Sequence, residues 1–333
     1  MISIILPVYN AEKYIGECLK SIAEQTYRAF EVLMVNDAST DNSLAICNHY
    51  KNIDLRFHLI DKKNREGVCA ARNIAVEQAK GEYLAFVDAD DKISETYLQR
   101  LLKAIEDYDA DVAVCDFFDE SGKEHTWKNG CAEDEQIFNQ FLSGFYCNRI
   151  MNKLYKSSIV KQIIFPEERP IKEDAFWTAH MFLLCKRVVI IPEGLYFYRK
   201  VEGSLSKKKN HPQKWIVGSL YNDFIKYSIL YNHISNEFKP LYYKLFSEWL
   251  GEVLLSFYDL EIFSFYEELQ LMVIGVNHDC EKKETRMIAD NANCRKAQFL
   301  YLIYTLKDSR FTVKDKVLII MRAMKRIIVY RKN

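Results

Sequence analysis

Three acidic residues follow a predicted buried strand, and this position, more than their spacing, is what suits a metal site. Asp88, Asp90 and Asp91 directly follow the apolar run 83–87. Carboxylates at the end of a buried strand repel one another unless a cation or hydrogen-bond donors neutralise them. Their hard oxygens suit Mg²⁺ or Mn²⁺, which usually also bind substrate phosphates. This segment predicts a divalent metal site, and helix-capping or turn residues are the alternative.

Two further acidic positions are candidates for chemistry. Asp37 follows the apolar segment 30–35, where a carboxylate can accept the N3–H of a uracil ring; a structural turn residue is the alternative. Glu173 and Asp174 precede the apolar run 175–184 and are expected to open a helix, where acidic residues are favoured by the helix dipole. The same dipole lowers a carboxylate pKa, so a proton-accepting role there requires burial.

The elements that carry these residues alternate between two sequence periods. Apolar, β-branched runs alternate with helix-spaced segments that are joined by short loops, which predicts βαβ units and a mostly parallel sheet flanked by helices. In such a sheet, ligands bind outside the carboxyl ends of the strands, where the acidic residues fall. The fold class is therefore α/β. The expected strands are 2–8, 30–35, 57–60 and 83–87, and the expected helices are 11–24, 41–51 and 67–79.

Composition divides the chain and excludes some functions. Residues 1–210 are expected to form the sheet domain, and residues 211–333, rich in aromatic residues at first, a helical region. The 46 basic residues equal the 46 acidic ones, which does not support a general nucleic-acid partner. The nine scattered cysteines favour reduced thiols. A polar turn soon after residue 8 argues against a signal peptide, so a cytoplasmic location is expected.

The end of the chain has a different character. Residues 311–333 carry seven basic side chains and one acidic one, with apolar positions on one helical face. A basic amphipathic helix suits an anionic membrane surface, and a helix packed on its own protein is the alternative. A peripheral position at the inner face of the cell membrane is the corresponding expectation.

An ordered series of motifs resembles the family 2 glycosyltransferases with the GT-A fold. The resemblance spans residues 2 to about 91 and continues more loosely to about residue 206. It is carried by Leu6-Pro7-Val8-Tyr9-Asn10, Val35-Asn36-Asp37-Ala38-Ser39-Thr40-Asp41, Gly67 with Ala71-Arg72-Asn73, Gly81-Glu82-Tyr83, Asp88-Ala89-Asp90-Asp91, Asn152-Lys153-Leu154-Tyr155, Glu173-Asp174, Tyr196-Phe197-Tyr198-Arg199 and Ser204-Leu205-Ser206.

The resemblance implies a role for each matching residue. It implies that the nucleobase is held by Pro7, Tyr9 and Asp37 and that Arg72 lies near the nucleotide. Asp88 would face the ribose or sugar, with Glu173 also on the substrate side. Asp90 would bind the metal that bridges the two phosphates, and Asp174 would be the general base.

Two departures from the family pattern concern the nucleotide side. Asn36 stands where the family often has a second aspartate. Arg65-Glu66 is a bulkier pair before Gly67 than is usual, which is expected to alter nucleotide or sugar selectivity. Among other candidates, His211 is a late metal ligand or part of a solvated basic loop. Lys153 and Arg199 stand next to tyrosines in the sequence; they are expected either to approach phosphates or to be partly buried side chains that extend their charge to solvent.

The function expected from the resemblance is inverting glycosyl transfer. A hexose or N-acetylhexosamine would move from a UDP-sugar, with Mn²⁺ or Mg²⁺, to a hydroxyl of a saccharide acceptor carried on a lipid, in surface polysaccharide synthesis. The alternatives are a sugar-phosphate nucleotidyltransferase and a non-catalytic nucleotide-sugar-binding partner subunit. The first normally has a Gly-rich basic loop after its first strand, where this chain has Pro7-Val8-Tyr9-Asn10.

Overall fold

A computed structural model describes the protein at residues 1–119, 122, 124–125, 130–142, 148–168 and 171–201, and at separate positions from 219 to 245. The chain divides into two compact units, residues 1–230 and 231–333. In the second unit the description covers residues 232–239, 241, 242 and 245, with one 3-10 turn at Asn236–Phe238. The domain division predicted at residue 210 stays a prediction, because few residues around that position are described.

The first unit is built on one sheet, which has ten strands among the described residues. The strands are β1 (Ile2–Val8), β2 (Phe30–Asn36), β3 (Phe57–Asp61), β4 (Tyr83–Phe86), β5 (Lys92–Ile93), β6 (Val112–Asp119), β7 (Glu124–His125), β8 (Gly130–Glu133), β9 (Lys153–Lys156) and β10 (Arg187–Tyr198). The helices are α1 (Ile15–Ala23), α2 (Ser43–Ile53), α3 (Val68–Gln78), α4 (Tyr97–Tyr108), α5 (Glu135–Leu142), α6 (Ser157–Val160) and α7 (Glu173–Leu184).

The sheet has a parallel half and a mixed half. Its order is β3-β2-β1-β4-β9-β6-β10-β5, with β7 on β6 and β8 on β10. Strands β1 to β4 pair in parallel, whereas β9 is antiparallel to both β4 and β6. The α/β fold class is confirmed, and the predicted parallel arrangement holds for the first four strands. Their carboxyl ends lie at one edge, which is where the acidic loops emerge.

The first strand is buried along its length because it lies inside the sheet, between β2 and β4, and helices cover the faces of the sheet. Every residue of β1 except Pro7 is buried, as the continuous apolar run predicts. Pairing with β4 ends at Ile5, so Pro7 lies beyond the β4 ladder, where its missing N–H matters less. The first helix is shorter than predicted. It begins at Ile15, after a turn in which the Tyr14 N–H donates to the Ala11 carbonyl at 2.9 Å.

A buried polar group joins the start of β1 to the start of β4. The Ser3 hydroxyl donates to Glu31 at 2.6 Å and accepts the Gly81 N–H at 2.8 Å, and the Lys80 N–H donates to Glu31 at 2.7 Å. The close approach requires glycine, since a β-carbon on Gly81 would lie 2.5 Å from the Ser3 nitrogen. This contact fixes the register of the strand that leads to Asp88.

Two sequence expectations outside the site can be compared with the fold. The six cysteines within the described residues are free thiols, and all except Cys131 are buried. Among the described residues, no helix combines the length and apolar character needed to cross a bilayer. The predicted basic helix at 311–333 lies outside the described residues.

Candidate functional site

The loop after β2 is organised around the Asp37 carboxylate. Oδ1 accepts from Lys62 Nζ at 2.8 Å and the Glu66 N–H at 2.9 Å, and Oδ2 accepts the Gly67 N–H at 2.7 Å. Burial alone would raise the pKa of Asp37, but these donors outweigh it and hold the pKa below its usual value. Asp37 is therefore ionised, and it fixes the loop that leads into α3. Gly67 enters that helix at φ +98°, which glycine adopts without steric cost.

The Asn36 departure from the family pattern has a physical reason in this chain. Asn36 is buried, and its amide Nδ2 donates to Asp61 Oδ1 at 2.7 Å. An aspartate at position 36 would set a buried carboxylate against the exposed carboxylate of Asp61. The amide instead joins the ends of β2 and β3 and leaves Asp37 to its own donors.

Tyr9 and Arg65 form an exposed stacked pair beside this loop. The Tyr9 ring is 37% exposed, and the Arg65 guanidinium lies over it at 3.9 Å from the ring centroid. Such a pair contributes about 0.5–1 kcal/mol at an exposed site. The ring predicted to hold a nucleobase therefore carries a planar cation on one face.

Arg72 gathers three of the predicted carboxylates around one buried guanidinium. Nη1 donates to Glu173 Oε1 at 2.9 Å and Asp174 Oδ1 at 3.2 Å, and Nη2 donates to Asp88 Oδ1 at 3.2 Å. Helix α3 supplies the arginine, the β4 loop supplies Asp88, and the first turn of α7 supplies the acidic pair. Residues more than a hundred positions apart thus meet at the carboxyl edge of the sheet.

Burial raises the pKa values of Glu173 and Asp174, the acidic pair of α7, and a raised pKa is what a base requires. Burial, and then the Asp174 charge, raise the pKa of Glu173 to about 8 although Arg72 lowers it. The pKa of Asp174 is also raised, by burial first and against the opposing effect of Arg72. The Asp174 side chain remains 28% exposed, so it is accessible at the site surface. An aspartate with a raised pKa accepts a proton more readily than a free one.

The aspartates after β4 have different surroundings. Asp91 is buried and accepts from the Tyr196 hydroxyl at 2.7 Å and the Arg199 N–H at 2.8 Å. Burial, followed by the charges of Asp88 and Asp90, raises the pKa of Asp91 to about 8. These two donors hold Asp91 in place. It is a structural anchor for the loop that carries Asp88 and Asp90.

Asp90 fits a metal ligand in part. Burial first, and then the Asp88 charge, raise the pKa of Asp90 to about 6, although the charge of the nearby Arg199 lowers it. Within the described residues, no group of three or more His, Cys, Asp or Glu side chains is arranged to hold an ion. One or two carboxylates suit Mg²⁺ or Mn²⁺ only when substrate phosphates complete the coordination. The donor chemistry therefore fits an ion that arrives with a diphosphate.

Two cationic candidates have structural contacts in the chain. Lys153 is buried, and its Nζ donates to the Arg149 carbonyl at 2.7 Å and to Asn152 Oδ1 at 3.0 Å. Arg199 Nε donates to the Asp90 carbonyl at 2.9 Å, and its Nη2 donates to Glu17 at 2.9 Å. Both contacts fix loops at the site edge. His211 and the segment 204–206 lie outside the described residues.

Sequence reasoning missed how Arg72 connects the acidic groups, it missed the contact of Tyr196 with Asp91, and it missed two supporting residues, Lys172 and Asp223. The pairing of Arg72 with the α7 carboxylates depends on a contact across about one hundred residues, for which a single sequence offers no signal. The left-handed turn at Lys172 is equally hidden, because lysine is not a residue that marks such turns.

Comparison with known proteins gives the family. A profile described as "Glycosyl transferase family 2" matches residues 3–162. The glycosyltransferase GlyG of Streptococcus pneumoniae is 33% identical over 222 residues, which cover 62% of this chain and 73% of GlyG. GlyA of the same organism is 34% identical over 229 residues, or 65% of this chain, but this match spans only 32% of GlyA.

A third relative has solved structures. The poly(ribitol-phosphate) beta-N-acetylglucosaminyltransferase TarS of Staphylococcus aureus is 32% identical over 204 residues, which cover 59% of this chain and 35% of TarS. The crystal structure of TarS 1–349 in complex with UDP superposes with a TM-score of 0.56 at 25% identity, covering 76% of this chain and 80% of that one. The fold, the ordered motifs and the extent of the GlyG match agree: the chain belongs to glycosyl transferase family 2.

Proposed function

We propose that this chain transfers a hexose or N-acetylhexosamine from a UDP-sugar to an acceptor hydroxyl, with inversion at the anomeric carbon. The observation that carries the proposal is the Arg72 cluster, which sets Asp88 and Asp174 together at the carboxyl edge of the sheet. Support for the donor comes from TarS, a relative solved in complex with UDP. Family membership favours glycosyl transfer over the nucleotidyltransferase alternative.

In the proposed reaction, Asp174 accepts the proton of the acceptor hydroxyl. The acceptor oxygen forms its bond to the anomeric carbon as the bond from that carbon to the β-phosphate oxygen breaks, and UDP leaves with the electron pair. Arg72 holds Asp174 Oδ1 at 3.2 Å and so fixes the direction of the carboxylate. A positioned base of this kind contributes about 10²–10⁴-fold to the rate.

The donor would be held by the two loops that precede α1 and α2. Tyr9 offers a ring face to the base, and the Asp37 loop lies next to it. Asp88, which accepts a hydrogen bond from Arg72, would meet the ribose or the sugar. Divalent metals are common in this family, and Asp90 would hold one against the diphosphate, where positive charge stabilises the leaving group.

The acceptor class is a further part of the proposal. The curated name of TarS gives a poly(ribitol-phosphate) acceptor for that protein. A hydroxyl-rich polymer or lipid-linked saccharide of the cell surface is the corresponding class here. Membrane contact through 311–333 stays a prediction. Truncation before Phe311 should release the protein from vesicles that contain anionic lipid, and unchanged binding would contradict it.

The test of the proposed function measures UDP release in the presence of Mn²⁺, with a panel of UDP-hexoses and with saccharide, lipid-linked and polyol-phosphate acceptors. Asp174→Asn should abolish transfer while the affinity for UDP, measured by calorimetry, stays near that of the wild type. An Asp174→Asn protein that turns over normally would refute the base assignment. Binding without transfer to any acceptor by the wild type would favour the partner-subunit alternative.

A further inference from the structure

The residue before the acidic pair of α7 has an unusual backbone. Lys172 adopts φ 57° and ψ 23°, the left-handed region that a residue with a β-carbon enters at a cost. Its carbonyl accepts from the N–H groups of Ala175 at 3.2 Å and Phe176 at 3.4 Å, so it starts the hydrogen-bond ladder of the helix. The conformation of Lys172 therefore sets where the first turn, with Glu173 and Asp174, is placed.

Two contacts from later in the same compact unit hold this residue. Lys172 Nζ forms an ion pair with Asp223, whose side chain is only 6% exposed. Asn222 is fully buried, and its Nδ2 donates to the Ile171 carbonyl at 3.0 Å. Consecutive residues of one segment thus bind consecutive residues of the other. Strained conformations persist where the surroundings determine them from several directions, and they are frequent at active sites.

We propose that Asn222 and Asp223 act as positioning residues that keep Lys172 left-handed and thereby hold Asp174 in its catalytic orientation. The inference rests on the proposed function, in which Asp174 is the base. Neither residue touches the substrate in this account. Their effect passes through the backbone at 171–172, because a change there would rotate the first turn of α7 away from Arg72 and Asp88.

Because the positioning effect passes through the backbone of Lys172, two matched variants of this residue test it. Lys172→Ala and Lys172→Gly both remove the ammonium group that binds Asp223, but only glycine enters the left-handed region without cost. The alanine variant should lose about 5–30-fold in kcat, the population change expected from that cost. The glycine variant should retain clearly more activity. KM for the donor and the calorimetric affinity for UDP should stay within about twofold in both.

A variant of Asp223 tests the other side of the ion pair, and it keeps the inference testable if a Lys172 variant does not fold. Asp223→Asn should lower kcat in the wild-type background but have little further effect in the Lys172→Gly background, where the turn no longer depends on the ion pair. Thermal unfolding of each protein establishes that it is folded. An effect of Asp223→Asn that is the same in both backgrounds would overturn the inference.

Other outcomes separate this inference from the proposed function. Equal kcat losses in Lys172→Ala and Lys172→Gly, with both proteins folded, would contradict the role of the left-handed turn. A fully active Lys172→Ala together with an inactive Asp174→Asn would refute the positioning role alone. An active Asp174→Asn would instead remove the base assignment on which the inference depends.

Discussion

Glu173→Gln tests the electrostatics of the Arg72 cluster, because glutamine keeps the shape of the side chain and cannot ionise. The Glu173 side chain is 13% exposed, and burial and Asp174 raise its pKa from 4.5 to about 8. Below pH 4.5 the carboxyl is protonated in both the folded and the unfolded chain. Between pH 4.5 and about 8 the unfolded chain ionises it while the folded protein keeps the proton. The wild type therefore loses stability as the pH rises through this window.

The magnitude follows from the width of the window. Each pH unit costs up to about 1.4 kcal/mol, which sets a ceiling of about 5 kcal/mol for a displacement of this size. Partial solvent exposure and coupling to Asp174 reduce it, so we expect about 2–3 kcal/mol between pH 5 and pH 8.5. Glu173→Gln has no carboxyl group at this position, so it does not lose this stability as the pH rises. Its free energy of unfolding should rise relative to the wild type by that much over the same range.

The measurement is urea unfolding followed by tryptophan fluorescence at several pH values. Glu168→Gln, at an exposed position five residues before Glu173, is the matched control, because it removes a carboxylate from the surface and not from the Arg72 cluster. The titration of Asp91 is common to all three proteins and cancels in the differences. A Glu173→Gln effect that stays constant from pH 5 to pH 8.5 would refute the account of the cluster.

Three further perturbations test other parts of the site and its support. Asp37→Asn places an amide N–H₂ opposite N–H donors, which should lower the free energy of unfolding by about 1–3 kcal/mol. UDP binding, measured by calorimetry, should also weaken. Unchanged UDP affinity would show that Asp37 is not part of the nucleotide site. Mn²⁺ binding, measured with UDP present, should weaken as the pH falls below about 6, where Asp90 is protonated, and Asp90→Asn should remove that dependence. Gly81→Ala should lower stability by about 3 kcal/mol because its β-carbon meets the Ser3 backbone. Gly16→Ala is the control: it lies inside α1 with open space around it and should be neutral or stabilising. Equal melting temperatures of the two variants would contradict the packing at Gly81.

Much of the fold follows from local sequence patterns. The apolar run of β1 and the helical spacing around Ile15–Ala23 each describe a neighbourhood of the chain, so the period of the pattern is enough to assign the element. The parallel half of the sheet then places Asp37 and Asp88 at one edge, because all its strands run in the same direction. The mixed half was not predictable in the same way, since the insertion of β9 between β4 and β6 depends on a pairing across about seventy residues.

The residue types of the site were in the sequence, and the contacts among them were not. A single chain shows that Asp88, Asp174 and Arg72 are present; the tertiary structure decides that one guanidinium binds both carboxylates. The same holds for the pKa values near Asp174, because burial and neighbouring charge are properties of the folded environment. The sequence therefore determined which groups are available for chemistry, and only the tertiary structure decided their charges, their partners and the left-handed turn at Lys172 that places the base.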